Sequence, residues 1–214
     1  MYLSRIELDT SRRSTMRALD MPNLMHGAVE SSFTGERARN LWRIDPLQGK
    51  LYLLVVSPAK PDLQGLAQQF GVPGQSGETR DYSPLLGRIR AGSVWRFRLT
   101  ANPTKSCASG DGTERGAVHA HVSTRYQEQW LLRQAEKHGF CLAEDGFSVV
   151  KTKWYTFRKG GAENRVTLLS VTYEGVLQVT DPEAFCRALT QGIGRGKAYG
   201  MGMLTVVRAA QRCL

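Results

Sequence analysis

One order of periodic segments constrains this 214-residue chain most: strand, helix, strand, strand, helix, strand runs through its first half and recurs in its second. In the first half, Tyr2 to Leu8 reads as a strand, with Tyr2, Ile6 and Leu8 on one face and Arg5 and Glu7 on the other. The polar, basic stretch from Ser11 to Ser14 leads to Asp20 and Pro22, a cap and first-turn pair. They open a helix on which Met25, Val29 and Phe33 form an apolar stripe and which Gly35 can stop. Leu41–Ile44 and Leu51–Val56 read as strands joined by a turn over Pro46–Gly49. Asp62 caps a helix carrying Leu63, Leu66, Ala67 and Phe70, ended by Gly71, and Tyr82–Ile89 is a weak closing strand.

The second half opens with the clearest strand, Ser93 to Ala101, where Trp95, Phe97, Leu99 and Ala101 alternate with Arg96, Arg98 and Thr100. Asn102-Pro103 breaks it, and a Gly- and Ser-rich loop runs from Ser106 to Gly116. Thr124 and Gln127 have capping-box spacing at the head of a helix with Tyr126, Trp130, Leu131 and Ala135, ended by Gly139. Phe147–Phe157 and Val166–Val179 are long strands with a tip at Gly160-Gly161. Asp181-Pro182-Glu183 starts a helix with Phe185, Ala188 and Leu189, stopped by Gly192, and Met203–Val207 closes the half.

Each β-α-β-β-α-β unit predicts a ferredoxin-like (RRM-like) domain: a four-stranded antiparallel sheet with helices on one face. The fold class is therefore α+β, with two such domains in tandem. The boundary falls near Arg90–Gly92, giving residues 1–90 and 91–214. No residue-level repeat links the halves, and a single α+β domain with a hairpin insertion is the competing architecture.

Charge narrows the partners. Lys and Arg number 29 against 19 Asp and Glu, a net charge of +10, and such a surface attracts polyanions, of which nucleic acid is the abundant cytoplasmic one. Cys107, Cys141, Cys186 and Cys213 contain no C-x-x-C pair, so neither a zinc site nor a disulfide framework is legible. No run approaches the ~18 apolar residues of a membrane span. Arg5, Glu7 and Asp9 sit where a signal peptide needs its apolar core. The expectation is a soluble, cytoplasmic protein without a membrane partner.

Three segments can carry chemistry. From Gly192 to Gly202, glycines at 192, 194, 196, 200 and 202 leave the backbone free to approach an anion or a packed neighbour, while Arg195 and Lys197 supply charge. The spacing is neither a P-loop nor a dinucleotide fingerprint, and a turn-rich connector is the competing reading. Between Phe147 and Arg165, five cations (Lys151, Lys153, Arg158, Lys159, Arg165) face one anion, Glu163, and interleave with Trp154, Tyr155 and Phe157. This composition suits a nucleic-acid surface, or an edge hairpin kept soluble by lysine. Among the histidines, His26 flanks the Met25/Val29 stripe and suits acid–base work, although a lone histidine is more often structural. His119 and His121 share a face if extended, as two metal ligands do, but no third ligand or carboxylate completes the set. His138 complements a helix C-terminus.

The sequence contains no G-x-S-x-G, no H-E-x-x-H and no acidic cluster of a two-metal nuclease. A basic protein of this kind that cuts nucleic acid is expected to use the RNA 2′-hydroxyl as nucleophile, one histidine for the proton, lysines for the charge and no metal or cofactor.

Four stretches together resemble the CasE family. They are MYLSRIEL at the start, WRFRLTANPTK over Trp95–Lys105, YEGVLQVTDP over Tyr173–Pro182 and GIGRGKAYGMGML over Gly192–Leu204. CasE proteins are the CRISPR RNA-processing endoribonucleases of subtype I-E, within the RAMP superfamily, and the resemblance spans nearly the whole chain. It implies two ferredoxin-like domains. It also implies antiviral CRISPR RNA (crRNA) processing: metal-free cleavage at the 3′ base of a repeat hairpin, leaving a 2′,3′-cyclic phosphate and a 5′-hydroxyl. The enzyme then stays on the crRNA among the other Cascade subunits. His26 matches the family's catalytic histidine. Lys105, Lys151, Lys153, Arg158, Lys159, Arg195, Lys197 and the glycine-rich loop match its RNA-contact segments. Some relatives carry a catalytic tyrosine three residues before the histidine; here it is Asn23, and Lys105 is the candidate for supporting the chemistry. The alternative is a non-cleaving RNA-binding subunit that caps the crRNA hairpin.

Overall fold

The computed structural model describes residues 1–107, 117–158 and 165–209. The first half contains β1 (Tyr2–Leu8), α1 (Arg13–Asp20), α2 (Pro22–Glu30), β2 (Leu41–Leu47), β3 (Lys50–Ser57), α3 (Gln64–Phe70), β4 (Glu78–Asp81) and α4 (Ser83–Leu86). The second contains β5 (Val94–Ala101), β6 (Thr104–Ser106), β7 (Val118–Ala120), α5 (Thr124–Lys137), β8 (Phe140–Cys141), β9 (Phe147–Arg158), β10 (Arg165–Val179), α6 (Pro182–Gln191) and β11 (Leu204–Arg208), with a 3-10 turn at Lys197–Tyr199.

The first sheet runs β2-β3-β1-β4, antiparallel throughout. The second runs β11-β5-β10, with β9 pairing β10 over Arg165–Gly175 and β8 pairing it at Gln178 and Val179. Both place the last strand beside the first and the second beside the third, the split β-α-β arrangement expected of ferredoxin-like units. β6 and β7 form a separate two-stranded ribbon.

Alternation along β5 buries Trp95, Phe97, Leu99 and Ala101, as the sequence predicts. Asp181 caps α6 by accepting the Glu183 and Ala184 N–H groups, also as predicted. Elsewhere the boundaries move for identifiable reasons. The polar, basic stretch after β1 runs into helix α1, whose buried face is only Thr15 and Ala18, too small for an apolar stripe. Asp20 is not a cap: it ends α1 and pairs with Lys153 at 2.9 Å, while α2 starts at Pro22 behind Met21. That helix stops at Glu30, so Phe33 and Gly35 lie beyond it. The β2–β3 turn is Gln48-Gly49, with φ of 52° and 77°, and Pro46 lies within edge strand β2.

The closing strand of the first half is the polar Glu78–Asp81, which pairs with β1. Tyr82–Ile89 is not a strand, because Asp81 accepts the Ser83 N–H and Pro84 opens α4. Gln127 makes no capping box; its amide donates to the carbonyls of His121 and Val122. The predicted tip at Gly160-Gly161 and most of the Ser106–Gly116 loop lie outside the described residues.

Two buried clusters form the core. One fills the first sheet with Ile6, Met25, Val29, Leu53, Leu66 and Phe70. The larger joins the halves, because Leu41, Val56, Tyr82 and Ile89 pack with Trp95, Leu99, Leu131, Phe185 and Leu204. Arg43 on β2 is buried in the same seam and donates to the Arg98 and Met203 carbonyls of the second half. No described helix is long and apolar enough to cross a membrane.

Candidate nucleic-acid interface

α2 anchors the site. Met25 and Val29 are fully buried in the first core, which leaves His26, half-buried, at the edge of that face. Asn23 and Glu30 lie three residues before and four after His26, the spacing that puts helix side chains on one side. The Arg37–Asn40 segment approaches from the start of β2, and Ala198 and Tyr199 of the 3-10 turn form the wall contributed by the second half. Together they enclose a cleft of about 470 Å³.

The His26 Nδ1 lies 4.0 Å from Glu30 Oε1, the oxygen that accepts the Asn40 amide at 3.3 Å. The Tyr199 ring stands edge-on to the imidazole at 6.5 Å between centroids and packs on Phe157 of β9 at 4.9 Å. Arg37 and Arg39 are exposed in the cleft lining. Burial first, then the charge of Arg39, holds the Lys197 ammonium below its ordinary pKa. Among the described residues none of these three cations makes an ion pair with a carboxylate. Unneutralised cations in close array favour an incoming anion, which relieves their mutual repulsion. An imidazole at the same place is equipped to move a proton at that anion.

The glycine-rich loop serves the seam between the halves. Gly192, Gly194, Gly196, Gly200 and Gly202 all have positive φ, from 74° to 87°. A Cβ on Gly192 would come within 2.8 Å of Leu41, and one on Gly200 within 2.6 Å of the Trp42 ring. Glycine at these two positions therefore lets the loop dock on β2 and present Tyr199 to α2. Lys197 is half-buried there, and Arg195 is exposed, its backbone bridging to Asn102.

The basic hairpin does not gather its cations on one face. Strand alternation puts Lys151, Lys153, Tyr155 and Phe157 on one side and Trp154 and Arg158 on the other. Lys151 is exposed, whereas Lys153 pairs with Asp20 and lies 4.6 Å from the Tyr155 ring centroid. Lys159 lies outside the described residues. Lys105 is exposed on β6 opposite His119 and is not among the residues lining the His26 cleft. His119 and His121 do not share a face: β7 ends at Ala120, leaving His119 exposed and His121 buried. Among the described residues no three metal-ligating side chains gather. His138 Nδ1 is 2.8 Å from the Gln134 carbonyl at the end of α5, the place its sequence position predicts. The sequence reading missed Glu30, Arg37, Arg39 and Tyr199; the Arg37-Ala-Arg39 run just before β2 was the available signal.

Two ferredoxin-like sheets with a histidine-bearing cleft lined by Arg37 and Arg39 at their seam define a tandem RRM-like protein. A family model described as CRISPR associated protein matches residues 1–208. The chain is 32% identical over 229 aligned positions to the CRISPR-associated endoribonuclease Cse3 of Thermus thermophilus, covering 96% of this chain and 99% of that protein. A structure of CRISPR endoribonuclease Cse3 bound to 19 nt RNA superposes with a TM-score of 0.81 at 29% identity, covering 97% of this chain and all of that one. A chain of a CRISPR RNA-guided surveillance complex in a pre-nicking state gives 0.69 at 25% identity, covering 98% of this chain and 100% of that one. The chain belongs to this family of CRISPR-associated proteins, in its CasE branch.

Proposed function

We propose that this protein is an endoribonuclease that binds the CRISPR repeat hairpin and cuts precursor CRISPR RNA at the 3′ base of the stem. It then remains on the product, in the cytoplasm, as a Cascade subunit. Residues 1–90 supply the catalytic helix, and residues 91–214 supply the basic hairpin and the glycine-rich loop. One observation carries the proposal: His26 shares a cleft with Arg37 and Arg39, Lys197 lies next in sequence to the cleft residue Ala198 and within reach of the Arg39 charge, and none of the three cations has a carboxylate partner among the described residues. The resemblance to an endoribonuclease solved with RNA supports it.

In the proposed reaction the 2′-oxygen attacks the adjacent phosphorus and the bond to the 5′-oxygen breaks. One proton leaves the 2′-hydroxyl and one reaches the 5′-oxygen, giving a 2′,3′-cyclic phosphate and a 5′-hydroxyl. The nucleophile belongs to the substrate, so the protein need only position it, move protons and stabilise charge. His26 handles one of the protons. Arg37 and Arg39 hold the non-bridging oxygens. Lys105, Arg195 and the hairpin cations Lys151, Lys153, Arg158 and Lys159 hold phosphates outside the cleft.

The test is a labelled repeat RNA incubated with the protein in EDTA. Cleavage at one site, blocked by 2′-deoxy substitution at the scissile nucleotide with binding unchanged, is the expected result. Positioned proton transfer contributes about 10²–10⁴-fold, so His26→Ala loses that much rate and keeps its affinity. Cutting of the deoxy substrate, or a normal rate from His26→Ala, refutes the mechanism. Tight binding with no cutting by the wild type makes the protein a capping subunit, the reading that Asn23 in place of tyrosine favours.

A further inference from the structure

We propose that Tyr126, backed by His121 and flanked by Lys105 and Arg133, is a stacking platform for a nucleobase of the unpaired RNA strand that leaves the base of the repeat stem. The proposal deepens the repeat-RNA reading and rests on it.

Tyr126 lies in the first turn of α5, where an apolar stripe is expected to bury it, yet it is 56% exposed. Its ring is stacked on the His121 imidazole, with centroids 5.9 Å apart and planes 29° from parallel. His121 is only 8% exposed, and its Nε2 has no hydrogen-bond partner among the described residues. Local hydrogen bonds fix its backbone: its N–H donates to the Pro103 carbonyl, and Gln127 donates to its own carbonyl. Burial first, then the charges of Arg133 and Lys105, lowers its pKa. A neutral ring thus holds the phenol in place while two cations stand close by. Arg133 is exposed two helical turns after Tyr126, and Lys105 is exposed on β6.

A rigid, half-open aromatic ring beside basic side chains is how proteins hold unpaired nucleotides, with the base on the ring and the backbone on the cations. The fold also connects this platform to the cleft. Arg39 lines the His26 cleft, and Lys197, next to the cleft residue Ala198, lies within reach of the Arg39 charge. Two residues earlier, Arg195 bridges to Asn102, and Lys105 follows three residues later, roughly 10 Å along an extended chain. Gly194 abuts Trp130, the residue one turn after Tyr126 on α5. The basic track therefore runs Arg39, Lys197, Arg195, Lys105 and ends at Tyr126. The hairpin leaves the cleft from a different wall, through the contact of Tyr199 with Phe157. A stem lying on the hairpin sends its unpaired strand along the track.

The experiment measures binding of three RNAs by fluorescence anisotropy: the stem alone, the stem with a 3′ single-stranded tail, and the stem with a 5′ tail. Each carries a 2′-deoxy scissile nucleotide where that position is present. Base–aromatic stacking predicts that Tyr126→Ala weakens binding of a tailed RNA by about 5- to 100-fold and leaves the stem-only RNA unchanged. Tyr126→Phe, which keeps the ring, retains wild-type affinity. The tail that responds identifies the strand on the platform. Unchanged affinity of Tyr126→Ala for both tailed RNAs, an equal loss on the stem alone, or a Phe variant as weak as Ala overturns the proposal. So does a Tyr126→Ala protein that binds tailed RNA normally but fails to enter the surveillance complex, because the ring then serves a protein partner. A wild type that binds the tailed RNAs no better than the stem sinks the platform alone; one that binds none of the three sinks the repeat-RNA reading with it.

Discussion

Arg43→Met tests whether the seam between the halves holds the cleft together. The Arg43 side chain is 2% exposed. Its Nε and Nη2 donate to the two oxygens of Asp45 at 2.7 and 2.5 Å. Its Nη1 donates to the Arg98 and Met203 carbonyls at 2.8 and 2.7 Å, and Nη2 also reaches Thr205 Oγ1 at 2.6 Å. Methionine fills similar space and donates nothing. Among the described residues Asp45 keeps only its ion pair with Arg98, at 3.5 Å, and the Met203 carbonyl loses the Arg43 donor. Removing one partner of a buried charge pair costs about 3–5 kcal/mol, and a buried carbonyl left bare costs about 1–3 kcal/mol within that figure. Total stabilities run about 5–15 kcal/mol, so the variant retains a reduced margin. At this length each kcal/mol shifts Tm by roughly 2–4 °C, giving a fall of about 6–20 °C by circular dichroism. Urea unfolding supplies the free energy directly. Because α2 and Tyr199 belong to different halves, cleavage falls at temperatures where most of the protein is still folded. Removing both charges with Arg43→Met and Asp45→Leu leaves no orphaned carboxylate and recovers part of the loss. A loss below about 1 kcal/mol for Arg43→Met refutes the reasoning.

Two further perturbations separate packing from RNA contact. Gly200→Ala and Gly74→Ala both place a Cβ at positive φ, a cost of roughly 1–2 kcal/mol, but only at Gly200 does that Cβ meet a ring, Trp42 at 2.6 Å. The Gly200 variant is expected to be the less stable of the two in urea, and equal losses refute a docking role for the loop. Gly196→Ala is expected to fall between them, because its nearest neighbour, 3.0 Å from an added Cβ, is the flexible end of Met201, whereas Gly196→Val adds the resistance of a β-branched residue to positive φ and impairs folding or RNA binding further. Replacing Arg158 and Lys159 by Ala is expected to weaken stem binding and flatten its salt dependence by about two counterions. An unchanged slope in titrations at several salt concentrations removes the hairpin tip from the interface.

The parts of this fold legible in the sequence are those where one face is buried and the other is wet. β5 alternates Trp95, Phe97, Leu99 and Ala101 with polar residues, and α6 announces itself through Asp181-Pro182. Segments that depart from that pattern were missed. β4 is a polar edge strand, recognisable only through its pairing with β1. α1 buries two small residues, which leave no hydrophobic period. The site divides in the same way. His26 stood out because it flanks a strong stripe and matches a family position. Arg37, Arg39 and Tyr199 come from irregular segments, and their place in the cleft follows from how the halves dock, which local pattern does not encode.

That docking bears on the most conspicuous departure at the site. Asn23 stands one turn before His26, where an amide has no acidic proton to give, and its Oδ1 is buried without a hydrogen-bond partner among the described residues. A phenol still reaches the cleft, from the other half of the chain: Tyr199 stands edge-on to His26 and is held by Phe157 behind it. Its approach depends on the positive-φ glycines that seat the loop on Leu41 and Trp42, and on Arg43 binding β2 to the second sheet. The phenol ring beside His26 comes from the second half, so the arrangement around His26 is set by the packing of the two halves as well as by the helix. Damage to the seam far from the RNA should therefore reach catalysis before it reaches binding, whose phosphate contacts are spread over many separate cations.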